Sequence, residues 1–413
     1  MTRAVVDNTK LDLAYVSPLN PVRSGLSDYS EALIPPLSEL VAVTLYSDCG
    51  TPSNPVIAER FVVRPVQLLS RYCTQHDLRL YQIGNDPQHR SAFNGLRRLP
   101  GVVTLHEPFL HHGLYGISLL RYYREVFYDL GSPDWTAAKD LADGMVADDF
   151  RQMMGTLLIR RLIDSSLGII VHSRTARRMI EDYRSVHPSR QQYIPRVAVI
   201  SQLMPVPHLG GSSEGRVEFG LPKEGLIFGV AGTIQPAKEP HLVLRAFARV
   251  SASLAHARLV FVGEMPEDCG VLALARDLGV ADQVIFLGRV DPLDRMHRAI
   301  AACDVVVNLR QPTIGETSGT ALRAMALSRP LIVRDVGWYR ELPDGSCLKI
   351  GPGAGADELA SAMLTLATSA EARRQLGAEA LRYVQRECDA STVARRYYEF
   401  LQIVYEHACM NLT

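Results

Sequence analysis

The 413 residues carry no surplus of either charge, with Lys plus Arg and Asp plus Glu both at 44. A chain without an overall basic field lacks what non-specific nucleic-acid binding requires, although a local basic patch stays open. The seven cysteines (Cys49, Cys73, Cys269, Cys303, Cys347, Cys388, Cys409) are odd in number, scattered and never spaced Cys-x-x-Cys. That excludes a disulfide framework or a thiolate zinc site as the organising element, and the expectation is a reducing cytoplasm. No stretch approaches ~18 uninterrupted apolar residues, so no membrane-spanning helix is expected. The opening MTRAVVDNTKLDLAYV has no apolar core long enough for a signal peptide. Low-complexity tracts, heptads and short fixed repeats are missing too. No Gly-x-Gly-x-x-Gly follows a strand-like run, which weakens a reading as a two-Rossmann oxidoreductase.

What is present is enough apolar material, 47% of the chain, to bury two cores of ordinary domain size. Short apolar β-branched runs alternate with helical windows in two successive series, the pattern of parallel sheets covered on both faces. The first series has runs at Leu11–Pro18, Val41–Ser47, Leu78–Ile83, Val102–Leu105, Gly168–His172 and Val197–Ile200. A helix is expected from Asp28, with Glu31 as its capping-box partner and Pro35 and Pro36 kinking it or ending it early. Gly25 then lies in a strand-to-helix turn, where a missing side chain lets backbone approach a ligand. Residues from Gly116 to about Arg161 read as helical, their Tyr122, Tyr123, Phe127 and Tyr128 spaced for packing.

Pro205–Glu224, rich in Pro, Gly and Ser, reads as a linker. The second series follows, with runs at Leu226–Ala231, Leu259–Val262, Val284–Leu287, Val305–Leu309 and Leu331–Val333, and a last helix over Thr392–Ala408. The expected domains are 1–205 on the acceptor side, 206–388 on the donor side, and 389–413 as a helix returning to the first.

The stretch DVVVNLRQPTIGETSGTALRAMALSRP, Asp304–Pro330, organises the rest. A strand delivers a small-residue loop to a helix start, where the N–H groups of Ser318, Gly319 and Thr320 can hold a phosphate. Glu316, just ahead, can accept hydrogen bonds from hydroxyls of whatever that phosphate carries. The same residue types also serve as ordinary helix caps. Lys238, six residues past Gly232 and approached through Pro236, can neutralise a diphosphate, although a solvated surface lysine is the plainer reading of it alone. Arg310 ends a strand and is the second cation placed to reach phosphates. Polar clusters end two runs of the first series: Gly84-Asn85-Asp86 with His89, and His106-Glu107. In an open parallel sheet, ligands bind off the carboxyl ends of the strands. His111 and His112 match no zinc signature, so no metal is expected there.

These residues carry a resemblance. SPLNPVRSGLSDYSEAL, QIGNDPQHR, PGVVTLHEPFLHH, GIIVHS, VAGTIQPAKEPHLVLRAF, LVFVGE, VIFLGRV and PTIGETSGTALRAMALSRPLIVRDVGWYRELPD, in this order and nearly end to end, resemble a retaining GT-B glycosyltransferase, most of all glycosyltransferase family 4. The resemblance implies an α/β fold of two Rossmann-like, doubly wound parallel-sheet domains facing a central cleft, with a C-terminal helix packing across the junction. It implies transfer of a sugar from a nucleotide diphosphate, UDP or GDP, to an acceptor hydroxyl with retained configuration and no cofactor. No metal is implied, and the lack of any Asp-x-Asp triplet agrees. Gly25 would approach the donor phosphates, and His106 would contact the donor sugar or position the acceptor. Lys238 would balance the diphosphate charge and Glu316 would bind sugar hydroxyls. The donor-binding set would be Gly25, Gly232, Thr233, Lys238, Arg310, Gly315, Glu316, Thr317, Ser318, Gly319 and Thr320.

Two positions depart from that pattern. Thr233 stands where an Arg usually follows the glycine, and Ala324 stands where a second Glu usually holds the ribose. Aligning on AMALSRP instead puts Arg323 and Gly315 at the two carboxylate positions, so one carboxylate is absent either way. Arg310 is the candidate to supply the lost charge. These departures motivate the alternative of a non-catalytic sugar-nucleotide-binding subunit. The acceptor is left open among lipid-linked sugars, polysaccharide ends and small natural products, with membrane contact peripheral at most.

Overall fold

The computed structural model describes residues 10–147, 153–188, 193–207, 212–266 and 269–410. The expected N-terminal segment, helical stretch 116–161, linker and C-terminal extension each fall in part outside the described residues. The chain divides into two units: residues up to Leu203 with Ile314–Thr317 and everything from Ala390, and Met204–Thr313 with Ser318–Asp389.

The first unit is built on seven parallel strands: β1 (Asp12–Val16), β2 (Ala42–Tyr46), β3 (Val63–Arg64), β4 (Leu78–Ile83), β5 (Gly101–Leu105), β6 (Ser166–Val171) and β7 (Arg196–Val199). They lie in the order β3-β2-β1-β4-β5-β6-β7. The order reverses between β1 and β4, the switch point at which doubly wound sheets open a crevice. Every residue of β5 is buried, as helices on both faces of a parallel sheet require. Four helices of this unit matter below: α1 (Gly25–Ser38), α2 (Arg90–Arg98), α3 (Leu119–Leu130) and α4 (Arg174–Val186).

Local chemistry departs from the sequence reading in two helices of this unit. Helix α1 starts three residues earlier than Asp28, because Ser24 caps it by accepting from the Leu26 amide. Glu31 does not complete a capping box; its carboxylate takes the Asn20 amide at 2.7 Å and Asn54 Nδ2 at 2.8 Å. Pro35 and Pro36 sit inside the helix, which runs on to Ser38 with Leu33, Ile34 and Leu37 buried, although each proline lacks the N–H for a ladder bond one turn back. The expected helix across 116–161 is broken at Gly131, which closes α3 at φ 79°.

In the second unit α5 (Ser212–Glu218) precedes six parallel strands: β8 (Ile227–Ala231), β9 (Arg258–Val262), β10 (Val284–Phe286), β11 (Val305–Val307), β12 (Leu331–Arg334) and β13 (Leu348–Ile350). Their order is β10-β9-β8-β11-β12-β13, so the switch point here lies between β8 and β11. The helices used below are α6 (Pro240–Ser253), α7 (Leu293–Ala301) and α8 (Gly319–Ala326). Helix α5 occupies part of the expected linker. It is pinned by Arg216, which pairs with Asp304 at 2.7 Å, and by Gly215, whose bare Cα sits so close to α7 that a Cβ would lie 2.3 Å from the Arg298 carbonyl.

The last helix, α9 (Ala390–Met410), belongs to the first unit and packs on α1, joined by a Tyr29–Tyr397 hydroxyl pair at 2.8 Å. Beneath it lies Gly168 of β6, where a Cβ would meet Val404 Cγ2 at 2.8 Å and Phe400 at 3.0 Å. Gly168→Val overpacks this seam and is expected to lower stability by about 1–3 kcal/mol, read by denaturant unfolding. An unchanged midpoint would mean that α9 does not rest on β6.

Candidate functional site

The second unit gathers its polar chemistry at the carboxyl ends of β8 and β11. Strand β8 ends at Ala231, and Gly232 turns at φ 88°, a backbone that favours glycine. A Cβ on Gly232 would lie 2.3 Å from Lys238 Nζ and 3.1 Å from Thr320 Cγ2. Three sequence-expected residues therefore converge on one point with no room for a side chain. Gly263, after β9, backs the same turn: a Cβ there would be 2.2 Å from the Gly232 carbonyl.

Lys238 is not a solvated lysine. It ends the 3₁₀ turn Pro236–Lys238, is 7% exposed, and donates to the Ala231 carbonyl at 3.0 Å. Burial, and after it the positive charge of Arg310, push its ammonium down to about 7. Two cations crowded at a strand end, with no carboxylate paired to the lysine among the described residues, form an environment that an anion relieves.

The opposite wall is the start of α8. Ser318 caps it, accepting from the Ala321 amide at 3.2 Å, which leaves the first-turn amides of Gly319 and Thr320 outside the helix ladder. Asn308, just past β11, organises the turn. Its Nδ2 donates to Thr320 Oγ1 at 2.9 Å, and its Oδ1 accepts from Ser318 Oγ at 3.2 Å and from the Tyr339 hydroxyl. Sequence reasoning had not singled out Asn308, although an amide ending a β-branched run was the signal for it.

The lysine loop is itself anchored. Glu239 adopts a left-handed backbone at φ 53° and makes a two-point pair with Arg334, Nε to Oε2 and Nη2 to Oε1, both 2.7 Å. Arg334 is 2% exposed and also donates to the Gly351, Pro352 and Ala354 carbonyls. Thr233 is exposed, and Ala324 is fully buried among the core residues of this unit.

The remaining expected residues lie in the first unit. Gly315 turns at φ 87°, packed so that a Cβ would meet Pro108 and Met179 at 2.7 Å. Glu316 folds back, its Oε2 accepting the Ile314 amide at 2.7 Å, and Thr317 follows it. Gly25 is exposed at the first position of α1, with open space where a Cβ would stand. The loop ahead of it is tied by His89, whose Nδ1 accepts the Gly84 amide at 3.2 Å, so that Nε2 is the protonated atom donating to Ser24 Oγ at 3.0 Å.

One turn along α1, Tyr29 packs edge-on against His106, centroids 4.9 Å apart. His106 follows β5, and both of its ring nitrogens are engaged within the unit. Nδ1 faces His172 Nε2 at 3.2 Å and Nε2 faces the Gln82 amide at 2.9 Å. His172 Nδ1 lies 2.9 Å from the Ile200 carbonyl, which only accepts, so that nitrogen carries its proton. Burial holds His172 down at about 4 and His106 well below the ordinary histidine value, so the pair is neutral. The Gln82 oxygen at that position only accepts, so His106 Nε2 carries the proton of the neutral ring and donates to it. Gln82 Nε2 in turn donates to Thr104 Oγ1 at 3.2 Å, and the Thr104, Tyr397 and Tyr29 hydroxyls follow at 3.1 Å and 2.8 Å. The Gln82 oxygen sets the tautomer of His106, and the chain ties the ring to α9. Neither His172 nor Gln82 was singled out as a site residue from the sequence, although GIIVHS displays the first. His111 and His112 are spoken for by Tyr122 at 2.7 Å and Asn85 at 3.0 Å.

Two outcomes follow from these arrangements. Arg334→Met leaves the half-buried Glu239 carboxylate without its partner, so stability should fall by about 1–3 kcal/mol, measured by denaturant unfolding; a neutral result would show that the pair does not hold the lysine loop. The buried histidines, His172 and His111 at about 4 against 6.5 unfolded, bind protons more readily in the unfolded chain. Their contribution is complete above pH 6.5 and is lost as pH falls towards 4. Melting temperatures should therefore drop from pH 7 to pH 5, with a shallower slope in His172→Asn; equal slopes would contradict a neutral His172.

With this geometry in view, residues 225–369 match the family model described as Glycosyl transferases group 1. The D-inositol 3-phosphate glycosyltransferase of Stackebrandtia nassauensis is 35% identical over 189 residues, which are 43% of this chain and 42% of that one. The chain thus spans less than half the length of that curated relative. Among solved structures, Anabaena Alr3699/HepE in complex with UDP aligns over 95% of this chain and 100% of its own, with TM-score 0.65 at 15% identity. The sucrose-phosphate synthase of Thermosynechococcus elongatus aligns over 96% and 100%, with TM-score 0.64 at 16% identity. The fold of this chain is GT-B, two Rossmann-like parallel-sheet units with a C-terminal helix, and its stretch 225–369 is similar in sequence to the group 1 glycosyl transferases.

Proposed function

We propose that this protein is a retaining glycosyltransferase of family 4, moving a sugar from a nucleotide diphosphate to an acceptor hydroxyl. The observation that carries the reading is the convergence of Lys238 and Thr320 on the bare backbone of Gly232, with the first-turn amides of α8 alongside and Arg310 adding charge. Breaking a glycosyl–phosphate bond leaves negative charge on the diphosphate, and fixed cations and N–H groups aimed at it lower that barrier. Lys238 and the α8 amides take the phosphates in this reading, and Gly25, at the start of α1, offers backbone to the same donor. Glu316 binds sugar hydroxyls. His106, held in one tautomer, orients the sugar or acceptor through its ring position and main chain.

The family match over the second unit and the UDP-bound and UDP-glucose-bound Anabaena neighbours support a UDP-sugar donor. The charge is neutralised by side chains and amides, so no metal or cofactor takes part. Among the described residues no helix is long and apolar enough to cross a membrane; we place the reaction in the cytoplasm.

A panel of nucleotide sugars, followed by mass spectrometry with and without acceptors, tests the reading. UDP-glucose should be consumed at the same rate with and without EDTA, and the product should keep the donor's anomeric configuration by NMR. Lys238→Ala should lower turnover by about 10²–10³ while leaving the melting temperature within a few degrees. Nucleotide binding without consumption of any donor would favour the non-catalytic subunit, and an unchanged rate in Lys238→Ala would contradict the assigned cradle.

A further inference from the structure

The first unit carries a second cationic feature that shares no residue with the loops and the hydrogen-bonded chain described above. A groove of about 590 Å³ is walled by the end of α2, the start and one face of α3, the turn at Gly131–Pro133, and Arg161. Four arginines line it, Arg97, Arg121, Arg124 and Arg161, against one carboxylate, Glu125. That carboxylate is taken: Arg161 Nε holds it at 2.5 Å while its guanidinium lies 3.8 Å from the Tyr128 ring centroid.

Arg121 is the telling residue. It makes no ion pair among the described residues, and its Nε and Nη2 are shielded from solvent without a hydrogen-bond partner. Its guanidinium sits 5.5 Å from the centroid of Phe93. Burial is the largest influence lowering its pKa, and Arg97, Arg161 and Arg124 act in the same direction. Arginines on an ordinary solvated face extend apart into water and keep every N–H hydrated. Here one is tucked in among three of like charge, an arrangement that repels itself until an anion enters.

The dimensions and walls say which anion. The volume lies in the range of small-molecule sites, and Ile117, Leu120, Phe127 and Pro133 give an apolar side for the body of a ligand. Planar guanidinium forks match the paired oxygens of a phosphate, and three unneutralised positive charges suit a dianion better than a carboxylate. We propose that this groove binds a small molecule carrying a phosphate monoester, with Arg121 and Arg124 taking the phosphate oxygens.

Calorimetry with a hexose 6-phosphate, the unphosphorylated hexose and inorganic phosphate tests this on the full chain. The phosphorylated sugar should bind at least about tenfold more tightly than the free hexose, and Arg121→Gln should remove that preference. Arg124 is exposed, so Arg124→Gln serves as a second variant whose fold is not at stake, and it should weaken the same ligand severalfold. If binding appears only with phosphatidic acid vesicles, is absent with phosphatidylcholine vesicles, and is lost in both variants, the phosphate monoester is that of a lipid headgroup. No preference for phosphate in either form, or an equal preference in Arg121→Gln with an unchanged melting curve, overturns the proposal. These readouts need no donor sugar and no turnover, so they stand apart from the fate of the transferase reading.

Discussion

A buried ammonium, with no carboxylate partner among the described residues, is the constraint on which the second unit turns. Placing Lys238 at the carboxyl end of β8 costs desolvation, and Arg310 adds like-charge repulsion. Folding the loop into that position is possible because Glu239 accepts a left-handed backbone and is clamped by a deeply buried Arg334. It is possible too because Gly232 and Gly263 have no Cβ to fill the space. Each of these features is unfavourable or neutral alone. Together they hold a cation and a helix start, organised by Asn308, around one small volume at the switch point of the sheet.

The first unit solves a different problem by the same economy of donors and acceptors. A chain of seven groups runs from Tyr29 through Tyr397, Thr104, Gln82, His106 and His172 to the Ile200 carbonyl. Its fixed points are His172 Nδ1, which donates to the Ile200 carbonyl, and the Gln82 amide, which accepts from His106 and donates to Thr104. The final helix is more than a cover for β6, since its Tyr397 hydroxyl joins the chain that holds the ring of His106. The residue was expected as a ligand contact. Its ring nitrogens are committed inside the unit, so its influence on a ligand passes through its orientation.

Much of the architecture was legible because fully buried parallel strands read as unbroken apolar runs, and β4 coincides with the expected span Leu78–Ile83. Strand β3, only two residues long, and β13, only three, gave too little pattern to find. Helix α5 was hidden by its Gly and Ser content, which propensity reads as linker; the docking of Gly215 on α7 overrides that preference. The helix continues past Pro35 and Pro36 because burial of Leu33, Ile34 and Leu37 offsets the ladder bonds that the prolines remove. At the site, glycine and lysine spacing was visible in the chain, whereas Asn308, Gln82 and His172 draw their meaning from partners far away in sequence. The lone arginine at 121 is unremarkable in a row of residues. Only folding shows that it is crowded.

The central claim is that Lys238 sits half-charged in the free protein and becomes fully charged on receiving a diphosphate. Calorimetric titration of UDP at pH 7, in buffers of different ionisation enthalpy, measures this directly. Uptake of about half a proton per nucleotide, rising towards one at pH 8 and vanishing in Lys238→Met, is the result the account predicts. Heats that do not depend on the buffer, or the same uptake in the variant, would contradict it.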